Sequence, residues 1–199
     1  GVARSSVDWG DFDNDGDLDI LMSGESGTSV VEYITGIYRN NGNSTLTELN
    51  SAQLRGVHSG SVAWGDYDSD GLSDILLTGY SGTIENQYCS TVYRNNGDNT
   101  FTEQPGINLM KVYNSSVKWA DYDKDNKPDI FLAGYNPNYG SVTRIYRNQY
   151  PKTNNSPSPP AGLSTTSDET SLIMSWDIVP GDETPGAGMS YNVRIGTSP

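Results

Sequence analysis

The sequence has almost none of the residues that form disulfides, zinc sites or common catalytic centres. Its 199 residues contain one cysteine, Cys89, and one histidine, His58. A single cysteine cannot form an internal disulfide, and a zinc site needs several His or Cys ligands. No activated nucleophile with a neighbouring base is recognisable. We therefore expect no catalytic centre in this chain, and we interpret Cys89 as a small strand residue and His58 as a surface residue where a strand begins.

Basic residues and long apolar runs are also scarce. The 12 Lys and Arg residues stand against 25 Asp and Glu residues, which gives a formal net charge of −13. A nucleic-acid-binding surface needs a basic stripe, so this class of partner is excluded. No apolar run approaches the roughly 18 residues of a membrane-spanning helix, so we expect no insertion into a membrane. The chain begins with Gly1 and shows no signal peptide, which we interpret as an excerpt from a longer protein.

The acidic residues are concentrated in three copies of one short motif. The copies read DFDNDGDLDI at 11–20, DYDSDGLSDI at 66–75 and DYDKDNKPDI at 121–130, each 55 residues after the one before. They hold 13 of the acidic residues, and the other 12 balance the 12 basic ones. Similar segments flank every copy: SVDWG, SVAWG or SVKWA before it, and ILMSG, ILLTG or IFLAG after it. Such flanks at a fixed period indicate a structural repeat rather than a disordered acidic tract.

Each repeat has the pattern of four short β-strands. In the first repeat these are SSVDW, DILMSG, TGIYRN and TLTEL. The first alternates, and the second is a continuous apolar run that is typical of a strand covered on both faces. Asn-Gly at 41–42 and 96–97 predicts a tight turn before the last strand. The third repeat keeps IYRN at 145–148 but continues as QYPKTNNSPSPP, so we expect its fourth strand to be missing or unusual.

Repeats of four strands with a buried inner strand fit the blades of a β-propeller. We predict an all-β fold with a partial propeller of three four-stranded blades, at about 1–55, 56–109 and 110–150, followed by a truncated β-sandwich. The aromatic residues that recur at one register are interpreted as core between blades: Trp9, Trp64, Trp119, Tyr38, Tyr93 and Tyr146. Because a propeller typically closes with four to eight blades, further blades of the same parent chain are expected as packing partners.

The chain changes character after residue 150. Residues 151–160 are rich in Pro, Ser and Asn and predict a stiff linker. Residues 161–199 have no acidic motif and contain two alternating segments, SLIMSW and SYNVRI. With Trp176 on its second strand and Tyr191 at the start of its third, this part resembles the N-terminal part of a fibronectin type III module. The resemblance implies a truncated β-sandwich in which Trp176 belongs to the core.

The acidic motif has the composition of an oxygen cage for a cation. Positions 1, 3, 5 and 9 are Asp in every copy, whereas position 7 is Asp, Leu or Lys and can contribute only its backbone carbonyl. Position 6 is Gly or Asn, the residue types that most readily adopt a positive φ. Ca²⁺ takes six to eight oxygen ligands of this kind, whereas Mg²⁺ keeps more of its waters. An EF-hand is excluded because position 12 is apolar and a strand follows. Lys124 and Lys127 partly offset the charge of the third loop, where the affinity should be lowest.

The motif D-x-D-x-D-G-x-x-D, preceded by WGD and followed by YRNNG, resembles the FG-GAP or VCBS-type repeat over about 150 residues. The resemblance implies propeller blades in which up to three Ca²⁺ ions brace the hairpins between the first two strands. These ions would be structural, and the protein would be secreted or on a cell surface. Position 7 would contribute its carbonyl, and the implied ligands are Asp11, Asp13, Asp15, Asp17 and Asp19; Asp66, Asp68, Asp70, Leu72 and Asp74; and Asp121, Asp123, Asp125, Lys127 and Asp129.

Three classes of function remain open at this point. We expect a calcium-stabilised extracellular module for binding or adhesion that recognises a glycan or a protein. Its ligand would contact the loops opposite the acidic motifs, which are rich in Tyr, Asn and Gly and read GESGTSVVE, GYSGTIENQY and GYNPNYGS. The alternatives are a spacer without a ligand and an accessory region of a secreted polysaccharide-degrading enzyme. A glycan array distinguishes a binder from a spacer, and polysaccharide turnover would reveal an enzyme.

Overall fold

The computed structural model describes residues 1–27, 31–82, 87–152, 158–167 and 170–177. In these residues the regular structure consists of β-strands and one short 3-10 helix, and all paired strands are antiparallel. Within the same ranges no helix is long and apolar enough to cross a membrane. The all-β class predicted from the sequence is confirmed.

Each repeat folds into its own antiparallel sheet, with neighbouring strands in chain order. The sheet of the first blade contains β1 (Val2–Gly10), β2 (Asp19–Ser26), β3 (Glu32–Asn40) and β4 (Leu46–Glu48). The second blade contains β5 (His58–Gly65), β6 (Asp74–Tyr80), β7 (Tyr88–Asn95) and β8 (Phe101–Glu103). The third blade contains β9 (Tyr113–Ala120), β10 (Asp129–Asn136) and β11 (Gly140–Tyr146).

The first two blades have the four strands that the pattern predicts, and the third has three strands in the described part of the chain. Its sequence explains the difference, because the Asn-Gly turn of the other blades is replaced by Gln149 and Tyr150. Pro151 then follows in the segment that forms the turn before the fourth strand in the other blades, and proline has no backbone N–H to donate. The 3-10 helix at Asn50–Ala52, which follows β4, was not predicted from the sequence.

Two hydrophobic cores lie between consecutive blades. The first core joins the first and second blades and includes Phe12, Leu21, Ile37, Val62 and Ile75. The second core joins the second and third blades and includes Tyr67, Leu76, Val92, Val117 and Ile130. One face of a blade therefore packs against the opposite face of the next, which is the stacking expected of propeller blades.

The recurring aromatic residues of the second and third blades lie in these interfaces. Those of the first blade, Trp9 and Tyr38, are aligned through Ile20 on the opposite face from the core residues Leu21 and Ile37, so the core prediction is wrong for both. The ring of Phe12 stacks on Trp64 with 5.9 Å between ring centroids, and Trp119 packs against the second core. Tyr93 is buried, whereas Tyr38 and Tyr146 are partly buried. Trp9 is 58% exposed, so the prediction that it lies in a core between blades is wrong for this chain. The reason is that Trp9 lies on the outer face of the first blade, where no described blade covers it.

His58 begins β5, as expected, but it is only 8% exposed. The interpretation of His58 as a surface residue is therefore wrong. Its ring lies 4.5 Å from the ring centroid of Tyr33 and 5.2 Å from that of Tyr80, so aromatic packing between two blades covers it. Cys89 is buried within β7, and burial raises the pKa of its thiol to about 11. It is a small strand residue, as the sequence predicts.

An asparagine side chain connects each blade to the one before it. Asn95 Nδ2 donates to the carbonyl of Phe12 at 2.8 Å and to that of Ser73 at 3.1 Å. In the third blade Asn148 Nδ2 donates to the carbonyls of Tyr67 at 2.7 Å and Pro128 at 3.1 Å. Asn95 is almost fully buried, so these bonds satisfy polar groups that water does not reach.

A two-stranded antiparallel sheet follows the third blade. It pairs β12 (Ser164–Ser167) with β13 (Leu172–Ser175). The strand β13 falls within the predicted segment SLIMSW, whereas β12 was not predicted. The second predicted segment, SYNVRI, and Tyr191 lie outside the described residues.

Candidate functional site

The three acidic loops join the first two strands of each blade, and their position-1 carboxylates organise the turn. Asp11 accepts the backbone N–H groups of Asp15 at 3.1 Å and Gly16 at 3.0 Å. Asp66 and Asp121 accept the equivalent pairs at 2.9–3.0 Å. In all three loops the position-5 carboxylate accepts the N–H of position 7 at 2.9–3.1 Å. The short-range bonds therefore fold the three loops in the same way.

Two residues in each loop have a positive φ. Position 6 has φ values of 94°, 88° and 63° at Gly16, Gly71 and Asn126, in agreement with the turn predicted there. Position 4 also has a positive φ in all three copies, which the sequence pattern did not reveal: Asn14, Ser69 and Lys124. Such residues turn the backbone sharply, so the flanking carboxylates point towards one another.

Each loop brings carboxylate oxygens from three aspartates within 4.8 Å of one another. In the first two loops the aspartates are those of positions 1, 3 and 5, namely Asp11, Asp13 and Asp15, and Asp66, Asp68 and Asp70. In the third loop they are those of positions 1, 3 and 9, namely Asp121, Asp123 and Asp129. Most of the predicted ligand side chains therefore converge, although the membership differs between loops.

The position-9 aspartates are the most deeply buried members of the motif, at 0–1% exposure in all three loops. Asp19 accepts the backbone N–H of Phe12 at 3.1 Å and that of Asn40 at 2.8 Å. Asp74 and Asp129 accept the equivalent pairs at 2.7–3.1 Å. These carboxylates tie the loop to the third strand of the blade, a role that sequence reasoning missed. Their role as metal ligands stays a prediction.

The position-7 side chains are not needed in the acidic clusters. Lys127 donates from Nζ to the carbonyl of Tyr150 at 2.6 Å, away from the carboxylates. The side chain of Leu72 lies 3.2 Å from where a β-carbon on Gly97 would be. Both observations agree with the prediction that the side chain of position 7 does not bind the ion and can therefore differ between loops. The carbonyls of position 7 stay predicted ligands.

An arginine from the YRN segment contacts the acidic cluster in the second and third blades. Arg94 donates to Asp68 Oδ2 at 2.6 Å and to Asp70 Oδ2 at 2.5 Å. Arg147 contacts Asp123 at 2.6 Å and Asp125 at 3.2 Å. Sequence reasoning did not assign these arginines. The signal that could have found them is the recurrence of Arg at one register, beside the asparagine that binds the position-9 carboxylate.

Several loop oxygens lack a partner or are desolvated. Asp13 Oδ1 and Asp68 Oδ1 are buried and accept no hydrogen bond within the described part of the chain. Burial, followed by the charges of neighbouring aspartates, raises the pKa of Asp13. Burial also raises the pKa of Asp19 to about 6 and that of Asp74 to about 8, although backbone N–H groups act in the opposite direction. A cation placed among these oxygens would favour their ionised form.

A row of aromatic rings runs across all three blades at the end opposite the acidic loops. Consecutive ring centroids are 4.5–5.6 Å apart along Tyr33, His58, Tyr80, Tyr88, Tyr113 and Tyr135. Tyr135 is 41% exposed, and Tyr139 in the adjoining hairpin is 72% exposed. The loops that we expected to contact a ligand lie at this end. Their central residues 28–30 and 83–86 are outside the described part of the chain.

The blades, the hairpin loops and the repeated carboxylates define an all-β repeat protein of the propeller-blade class. The model of the FG-GAP-like repeat family matches residues 11–77 and 66–132, which together make up more than half of the chain. The chain therefore belongs to the FG-GAP-like repeat family. No curated protein and no solved structure matches it.

Proposed function

We propose that this chain is a calcium-stabilised extracellular module for binding or adhesion, within a larger secreted or cell-surface protein. The observation that carries the proposal is a cluster of three carboxylates in each of the three loops, in the hairpin between the first two strands of a blade. Three aspartates per loop provide hard oxygen ligands, and nothing in the loops offers the His or Cys that zinc prefers.

The residues present fit a calcium ion. The buried Asp13 Oδ1 and Asp68 Oδ1 have no hydrogen-bond donor among the described residues, and a cation would satisfy them. A bound Ca²⁺ would supply positive charge that allows several carboxylates to remain ionised side by side. Asp11 and Asp66 would hold the ion while their backbone bonds keep the turn in place. We assign the ion a structural role, because each of these carboxylates also shapes or anchors its loop.

The third site should be the weakest of the three. Arg147 already contacts two of its aspartates, and Lys124 and Lys127 add positive charge. Arg94 gives the second loop one positive charge. The first loop has no arginine–carboxylate contact within 4.0 Å among the described residues, so we propose that it binds Ca²⁺ most tightly.

We propose that the ligand is a glycan and that it binds along the aromatic row. A tyrosine ring offers an apolar face for the C–H groups of a sugar and a hydroxyl for its polar groups. The row continues from the first blade to the third, so it could contact several sugar units of a chain. The FG-GAP-like repeat is a non-catalytic module, which supports binding rather than turnover. The two-stranded sheet at Ser164–Ser175 would be the start of a fibronectin type III module.

Two measurements test the proposal separately. Melting of the 199-residue chain with Ca²⁺ and with EGTA tests the metal sites, and an unchanged melting temperature would contradict them. A glycan array tests the ligand, with Tyr135→Ala expected to lose binding. Tyr122→Ala is the matched control, because Tyr122 is similarly exposed but lies on the acidic-loop end. A chain without any glycan partner would be a spacer, and turnover of a polysaccharide would indicate an enzyme.

A further inference from the structure

In the first two blades a short fourth strand completes the sheet at the same place. The strand β4 pairs with β3 through Leu46, Thr47 and Glu48, and β8 pairs with β7 through Phe101, Thr102 and Glu103. Both strands have the pattern apolar–Thr–Glu, and both pair with the Tyr-Arg-Asn of the third strand. The apolar residue lies opposite the asparagine in each case.

The third blade presents the same strand edge, and no strand in the described part of the chain pairs with it. Among the described residues, β11 pairs only with β10. The equivalent Tyr146, Arg147 and Asn148 are present, and Asn148 makes the same hydrogen bonds as Asn95. Tyr150 N–H then bonds to Asn148 Oδ1 at 2.9 Å, as Gly97 N–H does to Asn95. The edge is therefore built like the edges that accept a fourth strand.

A cavity lies beside this edge, where the second blade has the side chain of Phe101. Phe101 is 9% exposed, and its ring centroid is 6.1 Å from those of Phe12 and Trp64. One repeat later, Tyr67 and Trp119 occupy the positions of Phe12 and Trp64. The cavity has a volume of about 380 Å³ and a predominantly apolar wall formed by Tyr67, Ile107, Trp119, Ile130, Tyr146 and Tyr150.

We propose that the third blade accepts an extended segment of another polypeptide as its fourth strand, with an aromatic side chain inserted into this cavity. Backbone hydrogen bonds to the edge of β11 would align the segment, and the cavity would select the aromatic residue. The chain's own fourth strands specify the chemistry of the segment: an aromatic residue, then Thr, then Glu. In the first blade that glutamate, Glu48, pairs with Tyr38 of the third strand. This interaction does not depend on the calcium sites or on the aromatic row.

The probe is a synthetic peptide with the sequence of residues 98–104, DNTFTEQ, added to the full 199-residue chain. We expect saturable binding that protects the backbone amides of β11 from hydrogen exchange. A peptide with Phe101→Ser should bind about tenfold to a hundredfold more weakly, because the buried aromatic side chain is lost. Equal binding of the two peptides, or no binding up to about 1 mM, would overturn the proposal.

Gly106 allows the cavity to be blocked without altering the core. It lies in an exposed turn at the cavity wall, and a β-carbon there would meet no atom within 4 Å. We expect Gly106→Trp to fold normally and to lose at least tenfold in peptide affinity, whereas Gly106→Ala keeps the affinity. Melting curves of both variants verify the fold. A Gly106→Trp variant that folds and still binds the peptide normally would contradict the proposed site.

The same exchange experiment distinguishes other occupants of the edge. Protection of the β11 amides without peptide, at every protein concentration, would mean that the chain's own linker covers the edge. Protection that increases with protein concentration, and that remains in the Phe131→Asp variant whose exposed blade face is blocked by a charge, would mean that a second copy covers the edge. Either result would overturn the assignment of the edge to an extended segment of another polypeptide.

Discussion

Gly65 faces the indole ring of Trp119 across the interface between the second and third blades, and a β-carbon on Gly65 would lie 2.5 Å from Cδ1 of that ring. Gly10 has the same relationship with Trp64, at 2.6 Å. In the third copy, SVKWA, Ala120 takes the place of this glycine, and no tryptophan of a described following blade packs against it. The glycine of the WG pair is therefore required for the close approach of the next blade.

We predict that Gly65→Ala lowers the free energy of unfolding by about 1–3 kcal/mol, because the added methyl group overpacks the interface. Urea denaturation measures the change. Gly106→Ala is the matched control, since its β-carbon meets no atom within 4 Å, and we expect a change within about 0.5 kcal/mol. Equal stability of the two variants would show that the blades separate easily enough to accept the methyl group.

Chelation of calcium should lower the melting temperature. A ligand that binds only the folded loops stabilises the protein by about 2.7 kcal/mol per site at a hundredfold excess over its Kd. Calorimetry with EGTA, and then with Ca²⁺ restored, measures the effect. Mg²⁺ at the same concentration is the control, and its effect should be smaller because it retains its waters. An EGTA trace that overlays the Ca²⁺ trace would refute the calcium sites.

Two substitutions in the first loop distinguish a side-chain ligand from a carbonyl ligand. Asp17→Asn should leave calcium affinity nearly unchanged, because only the carbonyl of position 7 is proposed to bind. Asp15→Ala should remove the site, so the stoichiometry in isothermal titration calorimetry should decrease by one ion. Since Asp15 also accepts the N–H of Asp17, circular dichroism must show that the variant keeps its fold. Similar losses in both variants would contradict the assignment.

Removal of Arg94 should affect stability and calcium binding in opposite directions. Without calcium, Arg94→Met leaves the buried Asp68 without its partner, and we expect a loss of about 1–3 kcal/mol in stability. Calcium affinity of the second loop should increase, because a positive charge beside the site is gone. Arg144→Met in β11 is the control for the loss of one positive charge. A decrease in calcium affinity would instead make Arg94 a residue that positions the ligands.

The fold could be predicted in large part because the sequence repeats its local signals. The Asn-Gly turns, the alternating first strand and the continuous apolar second strand each determine their structure over a few residues. The departure of the third blade was also predictable, since QYPKTNNSPSPP stands where the other blades have the Asn-Gly turn and their fourth strand. Burial was harder to predict, because it depends on the neighbouring blade. Trp9 and Trp64 have the same local pattern, yet of the two only Trp64 is covered by a described blade.

The sequence predicted the aspartates of the candidate site, but it did not predict the arginine and backbone groups that contact them. The spacing of Asp11, Asp13 and Asp15 identifies the cluster, because these residues lie in one turn. The contact of Arg94 with Asp68 joins residues 26 positions apart, and it depends on how the third strand folds back over the loop. The same holds for Asp19, whose bond to Asn40 spans 21 positions. Such pairings follow from tertiary structure rather than from local pattern.

The two outer faces of the three-blade stack are equivalent to faces that are buried within it. The residues Tyr122, Phe131 and Ile145 are 42–56% exposed, whereas their counterparts one repeat earlier, Tyr67, Leu76 and Val92, are 0–8% exposed. On the opposite face Val7 and Trp9 are exposed, and their counterparts Val62 and Trp64 pack in the first core. The free faces of the third and first blades are thus the two halves of an interface between blades.

We therefore predict that the isolated 199-residue chain associates, with the third blade of one copy against the first blade of another. Exposed apolar sheet faces of this kind favour association. Light scattering should show a mass above the 21.6 kDa of one chain, increasing with concentration. Phe131→Asp should restore a monomer, because it places a charge in the contact. Leu163→Asp, at an exposed residue outside the blades, should not. A wild-type chain that is monodisperse at 21.6 kDa and melts cooperatively would show that three blades are sufficient alone.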